Sequence, residues 1–181
     1  ARKPLALYFH IPFCLSKCVY CDFASYPRQE QRWAPYMDAL REELFSWRDE
    51  LADYEAATIF LGGGTPSVLP ARQIARLMEA VAQTIFVRAD AEITMEANPG
   101  TLTAEKLRVC RAAGVNRLSL GVQSMDDRLL RSLGRIHTAQ EAAAAVELAR
   151  GAGFDNLSLD LMYALPGQTM GDWLRTLDRA V

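Results

Sequence analysis

Apolar residues recur along this 181-residue chain in two rhythms. Five short runs are alternating or nearly continuous: LALYFHI (5–11), ATIFLG (57–62), EITMEA (92–97), RLSLGVQ (117–123) and NLSLDLMY (156–163). Runs of this length and period predict β-strands. Between them the apolar positions step by three and four. Trp33, Tyr36, Leu40, Leu44, Trp47 and Leu51 predict a first helix. Ile74, Leu77, Val81 and Ile85 predict a second, with Pro70 at its first position. Thr138 and Glu141 form a capping-box pattern before AAAAVELA, and Gly151 and Gly153 suit its stop. Strands alternating with helices predict βαβ units and a parallel sheet. No linker or low-complexity tract divides the series, so residues 1–181 read as one domain.

The two faces of these strands differ. Leu5, Leu7, Phe9 and Ile11 oppose Ala6, Tyr8 and His10; Ile93, Met95 and Ala97 oppose Glu92, Thr94 and Glu96. Leu118, Leu120 and Val122 oppose Ser119, Gly121 and Gln123, and Leu157, Leu159 and Leu161 oppose Ser158 and Asp160. Parallel strands covered on both faces should be apolar throughout, and a closed eight-stranded barrel fills its centre with bulky side chains. The pattern therefore predicts an open α/β barrel of about five βα units, with helices on the leucine face and a polar cavity on the other. Something polar must fill that cavity.

Net charge is −2 and the basic residues are interspersed with acidic ones, which gives no footprint for nucleic acid. No apolar run approaches the roughly 18 residues of a membrane helix, so at most peripheral membrane contact is expected. The opening ARKPLALYFHIP lacks the long apolar stretch and cleavage site of a signal peptide. A reducing cytoplasm is the expected setting, where clustered cysteines read as metal-binding or catalytic.

Three of the four cysteines lie in HIPFCLSKCVYCDFASY, spaced Cys14-x-x-x-Cys18-x-x-Cys21, directly after the first strand. Three thiolates are one short of the usual iron–sulfur or structural zinc set. A four-iron cubane held by three cysteines keeps one iron open to a substrate. Zinc completed by His10 or by water is an alternative on the same residues. Cys110 shares a helical stripe with Leu107 and reads as a buried small hydrophobe.

Other candidates fall near strand ends. LGGGTPS (61–67) places glycines where backbone can approach a ligand and offer N–H groups. Glu96 ends the third strand on its polar face, and Gln123 ends the fourth. Ser124 with Asp127 reads as a helix cap, and Arg135 and His137 as surface residues. Asp160, facing inward, requires a partner such as Arg135, water or ligand. Carboxyl ends of strands are where barrel enzymes place their active sites.

CLSKCVYC resembles the signature of the radical SAM family. That likeness implies a [4Fe–4S] cluster on Cys14, Cys18 and Cys21 whose open iron is chelated by S-adenosylmethionine (SAM). One electron passed to the sulfonium would then cleave a carbon–sulfur bond, the protein orienting and shielding the cofactor. Across YFHIPFC, CVYCDF, LGGGTPS, EANPGT, LSLGVQS, LGRIHT and DLMYALPGQT, the whole chain resembles the oxygen-independent coproporphyrinogen III oxidase family. On this resemblance Tyr8, Gly63, Gly64, Thr65, Glu96, Gln123, Arg135 and Asp160 match SAM-contacting positions. True dehydrogenases of the family carry a fourth cysteine two residues after the third, where this chain has Phe23. CDF is similar instead to the HemW-type haem chaperone branch. That branch implies haem or porphyrin as ligand, a haem-accepting respiratory protein and an electron-donor protein as partners, and no covalent haem bond. Coproporphyrinogen III dehydrogenation and a zinc-binding interaction module stand as alternatives. The family's sixth strand and C-terminal region have no counterpart here, so the chain is expected to be the N-terminal part of a radical SAM core with its fifth strand an open edge.

Overall fold

A computed structural model describes residues 2–181. Five parallel strands form one sheet: β1 (Lys3–Ile11), β4 (Tyr54–Gly63), β5 (Phe86–Ala97), β6 (Arg117–Gln123) and β7 (Asn156–Leu161), in that spatial order. Two-residue strands β2 (Phe13–Cys14) and β3 (Tyr26–Pro27) pair in parallel, closing the cysteine segment into a loop. Helices α1 (Trp33–Ser46), α2 (Ala71–Thr84), α3 (Ala104–Ala112), α4 (Asp127–Ser132), α5 (Ala139–Gly151) and α6 (Met170–Ala180) complete the chain. Within the described residues β1 and β7 are the open edges of the sheet, as the family resemblance implied for the fifth strand.

The leucine face is the core. Ile59, Leu61, Met95, Leu118, Leu120 and Val122 are almost wholly removed from water, packed against Ile74, Leu77 and Val81 of α2 and Leu107 and Cys110 of α3. Each such aliphatic side chain contributes about 1.5–3 kcal/mol relative to exposure. Small residues Ala142, Ala145 and Ala149 let α5 lie close on the same face.

Local chemistry sets the helix ends. Thr138 and Glu141 make the reciprocal capping box, and α5 runs to Gly151 as expected. Three details depart from the pattern. α1 stops at Ser46, leaving Trp47 exposed, and its deepest residues are Met37, Arg41 and Leu44. Pro70 is the residue before α2 rather than its first turn. The cap of α4 is Asp126, which accepts from the N–H groups of Arg128 and Leu129, while Asp127 instead accepts from Ala139 N–H. β5 also starts six residues earlier than expected, because the polar stretch around Arg88 and Asp90 is accommodated by a register shift against β4.

Candidate functional site

One cavity opens at the carboxyl ends of the strands. Its walls include Cys14, Cys18, Cys21, Gly63, Gly64, Thr65, Glu96, Gln123, Arg135 and Asp160, with Ser119, Tyr20 and Phe23. Ten of the eleven residues marked in the sequence are therefore brought together. Tyr8 is the exception: the residue is 59% exposed, its ring stacks on Phe60, and it does not line the cavity, although burial and the charge of the wall residue Glu96 raise its phenol above the ordinary range.

The cysteine loop is shaped by short contacts. Cys21 N–H donates to Cys18 O at 3.1 Å, turning the chain between the two thiols, and Val19 N–H donates to Leu133 O at 3.2 Å. Cys14 Sγ lies 3.6 Å from Thr65 Oγ1, and Cys21 Sγ lies 3.9 Å from Ser25 Oγ. Arg135 Nη1 donates to Cys18 Sγ at 3.3 Å, and Nη2 donates to Gly121 O. Gly121 leaves room for that guanidinium, since a Cβ there would meet Arg135 Nη2 at 3.2 Å. Burial pushes the Tyr20 phenol up to about 12, with Arg135 pulling the other way.

The glycine turn serves close approach. A Cβ on Gly64 would sit 2.6 Å from Phe13 O, and Gly63 adopts φ +114° directly over the His10 ring. Its N–H groups are not free for a ligand, contrary to the sequence expectation. Gly63 N–H donates to Glu96 Oε2 (3.1 Å), Gly64 N–H to Ile11 O (2.9 Å) and Thr65 N–H to Phe13 O (2.7 Å). These bonds lock the turn to the cysteine loop and to β5. His10 is likewise engaged, its Nε2 2.9 Å from Ala24 O, and it does not line the cavity.

The polar face supplies carboxylates. Burial raises the Glu96 carboxyl above its ordinary range, and the negative charge of Asp160 adds to this while Gly63 N–H opposes it. Asp160 is exposed to the open cavity and accepts from Ser119 Oγ at 3.0 and 3.2 Å; Arg135 is not its partner. Gln123 holds φ +69°, a left-handed conformation costly for a residue with a side chain, at the point where the β6–β7 register shifts. His137 and Arg135 are not surface residues. His137 is 3% exposed, with Nδ1 3.2 Å from Asn98 Oδ1 and Nε2 3.1 Å from Val122 O. Arg135 is half-buried, and its Nε is removed from water without an acceptor.

These walls fit a [4Fe–4S] cluster with SAM. Three soft thiols share one cavity, yet among the described residues no group of three or more His, Cys, Asp or Glu side chains converges to hold a single metal ion. A cluster spreads its thiolates over separate irons, whereas tetrahedral zinc gathers sulfurs at about 2.3 Å from one centre. The orphaned Arg135 Nε and the carboxylates of Glu96 and Asp160 add polar groups for a zwitterionic, hydroxylated ligand. Sequence reasoning missed Asn98 and Thr101, which line the cavity, and Lys106 behind them. The ANPGT turn was visible, but nothing marked its Asn and Thr as hubs, and Lys106 looked like any helix lysine.

Comparison with known proteins agrees with this geometry. The Radical SAM superfamily profile matches residues 8–180. The heme chaperone HemW of Lactococcus lactis is 46% identical over 169 residues, covering 93% of this chain and 44% of that protein. HemW of Escherichia coli is 44% identical over 181 residues, covering 98% of this chain and 47% of that protein. Among solved structures, coproporphyrinogen III oxidase (HemN) from Escherichia coli superposes with TM-score 0.92 at 36% identity, covering 99% of this chain and 42% of that one. The chain thus spans less than half the length of each of these relatives. No helix among the described residues is long and apolar enough to cross a membrane. Five parallel strands that open one polar face toward three clustered thiols, and a profile match over almost the whole chain, lead to one assignment: the chain belongs to the radical SAM superfamily, whose members imply a [4Fe–4S] cluster and SAM.

Proposed function

We propose that this chain is the N-terminal part of the radical SAM core of a HemW-type haem chaperone, working in the cytoplasm. Cys14, Cys18 and Cys21 hold the cluster. Glu96, Gln123, Arg135 and Asp160, with the Gly63–Gly64–Thr65 turn, hold SAM across the polar face. Tyr8, exposed on the neighbouring strand, contacts SAM only if its ring turns toward the cavity. When bound, the cluster would supply an iron lacking a protein ligand, which SAM could chelate and from which it could receive an electron. The protein's own part is positional. Thr65 sits against Cys14, Arg135 against Cys18, and Glu96 is locked to the glycine turn, so cluster and SAM residues form one hydrogen-bonded unit.

The observation that carries the reading is the meeting of all three thiols with Glu96, Gln123, Arg135 and Asp160 in one cavity. The chaperone branch is supported by the named HemW relatives and by Phe23. In this reading haem is bound and passed to a respiratory haem protein, and a separate protein donates electrons. The likeness to HemN favours a second reading, coproporphyrinogen III dehydrogenation. The zinc module has less support, because His10 is engaged with Ala24 O outside the cavity.

Full-length protein, reconstituted anaerobically, decides among them. A chaperone should contain iron and acid-labile sulfide, change its spectrum on adding SAM, bind haem, and form no protoporphyrinogen from coproporphyrinogen III with SAM and reductant. Product formation would establish the oxidase, and zinc without sulfide the third reading.

A further inference from the structure

Two short turns frame the cavity, Pro66–Val68 after β4 and Pro99–Thr101 after β5. They are joined through side chains and backbone, Asn98 and Thr101 themselves lining the cavity. Ser67 Oγ and Thr101 Oγ1 share a 2.6 Å hydrogen bond, and Asn98 N–H donates to Ser67 Oγ at 3.1 Å. Lys106, in the first turn of α3, donates its ammonium to Ser67 O at 2.5 Å and to Thr101 O at 3.0 Å. One cation therefore clasps a carbonyl from each turn. Thr65 lies just ahead of the first turn, and Glu96 three residues ahead of the second; both line the cavity.

A lysine is a costly choice at this position. Its charge stands at a helix N-terminus, where the helix dipole favours an anion. It is half-buried, and no carboxylate pairs with it among the described residues. Burial holds its ammonium below the ordinary lysine range; the titratable neighbour is Cys110, which burial pushes up to about 11. A methionine of similar length would avoid those costs but would leave the Ser67 and Thr101 carbonyls without this donor. A retained local cost of this kind points to a requirement elsewhere in the fold.

We propose that Lys106 is a positioning residue that fixes the distance between the two turns, and so the places of Thr65 and Glu96, for SAM binding. It rests on the reading of this cavity as the SAM site. Lys106 does not itself line the cavity and touches none of the three loop thiols, its ammonium donating instead to the carbonyls of Ser67 and Thr101, so its loss should leave the cluster in place.

The test uses full-length, anaerobically reconstituted protein and the variants K106M and K106R. All three should carry equal iron and sulfide. K106M should bind SAM about tenfold more weakly, since two charge-assisted bonds are lost, and K106R should recover to within about threefold, because a guanidinium can still reach two carbonyls. If K106M does not fold, wild type against K106R from about pH 7 to about pH 10 decides. Wild-type affinity should fall toward alkaline pH as Lys106 loses its proton, while the arginine variant holds; the amine of SAM titrates alike in both. Unchanged SAM binding by K106M, or parallel pH curves, would overturn the positioning role alone. Wild-type protein that takes up a cluster but no SAM would overturn the reading of the cavity with it.

Discussion

Leu118, Leu120 and Val122 point from β6 into a core with no solvent contact, while Ser119, Gly121 and Gln123 of the same strand line an open cavity. The same division runs through β5, where Ile93 and Met95 are buried and Glu96 faces the cavity. On the first face, complementarity comes from close packing of aliphatic groups that the helices bring with them. On the second it comes from hydrogen bonds that hold polar groups apart: Ser119 to Asp160, Gly63 to Glu96, Arg135 to Gly121. The comparison teaches that one strand period serves two ends. Residues i and i+2 stabilise the fold, and residues i+1 and i+3 are kept out of that task so that a ligand can complete them.

If that separation is real, damage to one face should not spread to the other. The largest effect is expected from Cys18→Ala, which should abolish iron and sulfide uptake while far-ultraviolet dichroism of the βα framework stays near that of wild type. Full iron content in that variant would break the assignment of the loop. Leu120→Ala should do the reverse. Truncating a fully buried leucine costs about 3 kcal/mol, read from the denaturant midpoint, with iron content and SAM affinity close to wild type. A collapse of SAM binding in that variant would show that the two faces are coupled through β6.

The sequence made the first face legible and most of the second. Period-two alternation located five strands and their leucine face because burial leaves that pattern in the residues themselves. The cysteine spacing and the strand-end positions marked the three thiols, the glycine turn, Glu96, Gln123 and Asp160, because strand ends lead there in any parallel barrel. Arg135, read by position as a surface residue, entered the site only through the family resemblance. Four things were hidden. The N–H groups of the glycine turn are taken by Ile11, Phe13 and Glu96, which depends on contacts more than thirty residues distant. The left-handed Gln123 follows from a register shift that no local signal encodes. Asp126, not Ser124, caps α4 through the adjacent N–H groups of Arg128 and Leu129, and His137 is buried between Asn98 and Val122 rather than exposed, which long-range contacts decide.

The smallest expected effect is also the most specific to the polar face. Glu96 carries a carboxyl whose proton affinity is raised by burial, with the charge of Asp160 adding to it. Over the range between its ordinary and raised values, the folded chain holds a proton that the unfolded chain has lost. Stability therefore declines as pH climbs through that range, and the full penalty is present above the raised value. Glu96→Gln removes the charge but keeps an oxygen for Gly63 N–H. At neutral pH this variant should melt about 2 °C higher than wild type, and the two should converge below about pH 4.5, where both states of the wild-type group are protonated. SAM binding should weaken in the same variant, because a neutral amide attracts the cationic amine less than a carboxylate does. A stability gain that persisted at acid pH would trace to packing rather than charge. A gain accompanied by unchanged SAM affinity would remove Glu96 from the proposed binding set, and with it the idea that this face gives up stability to hold a ligand.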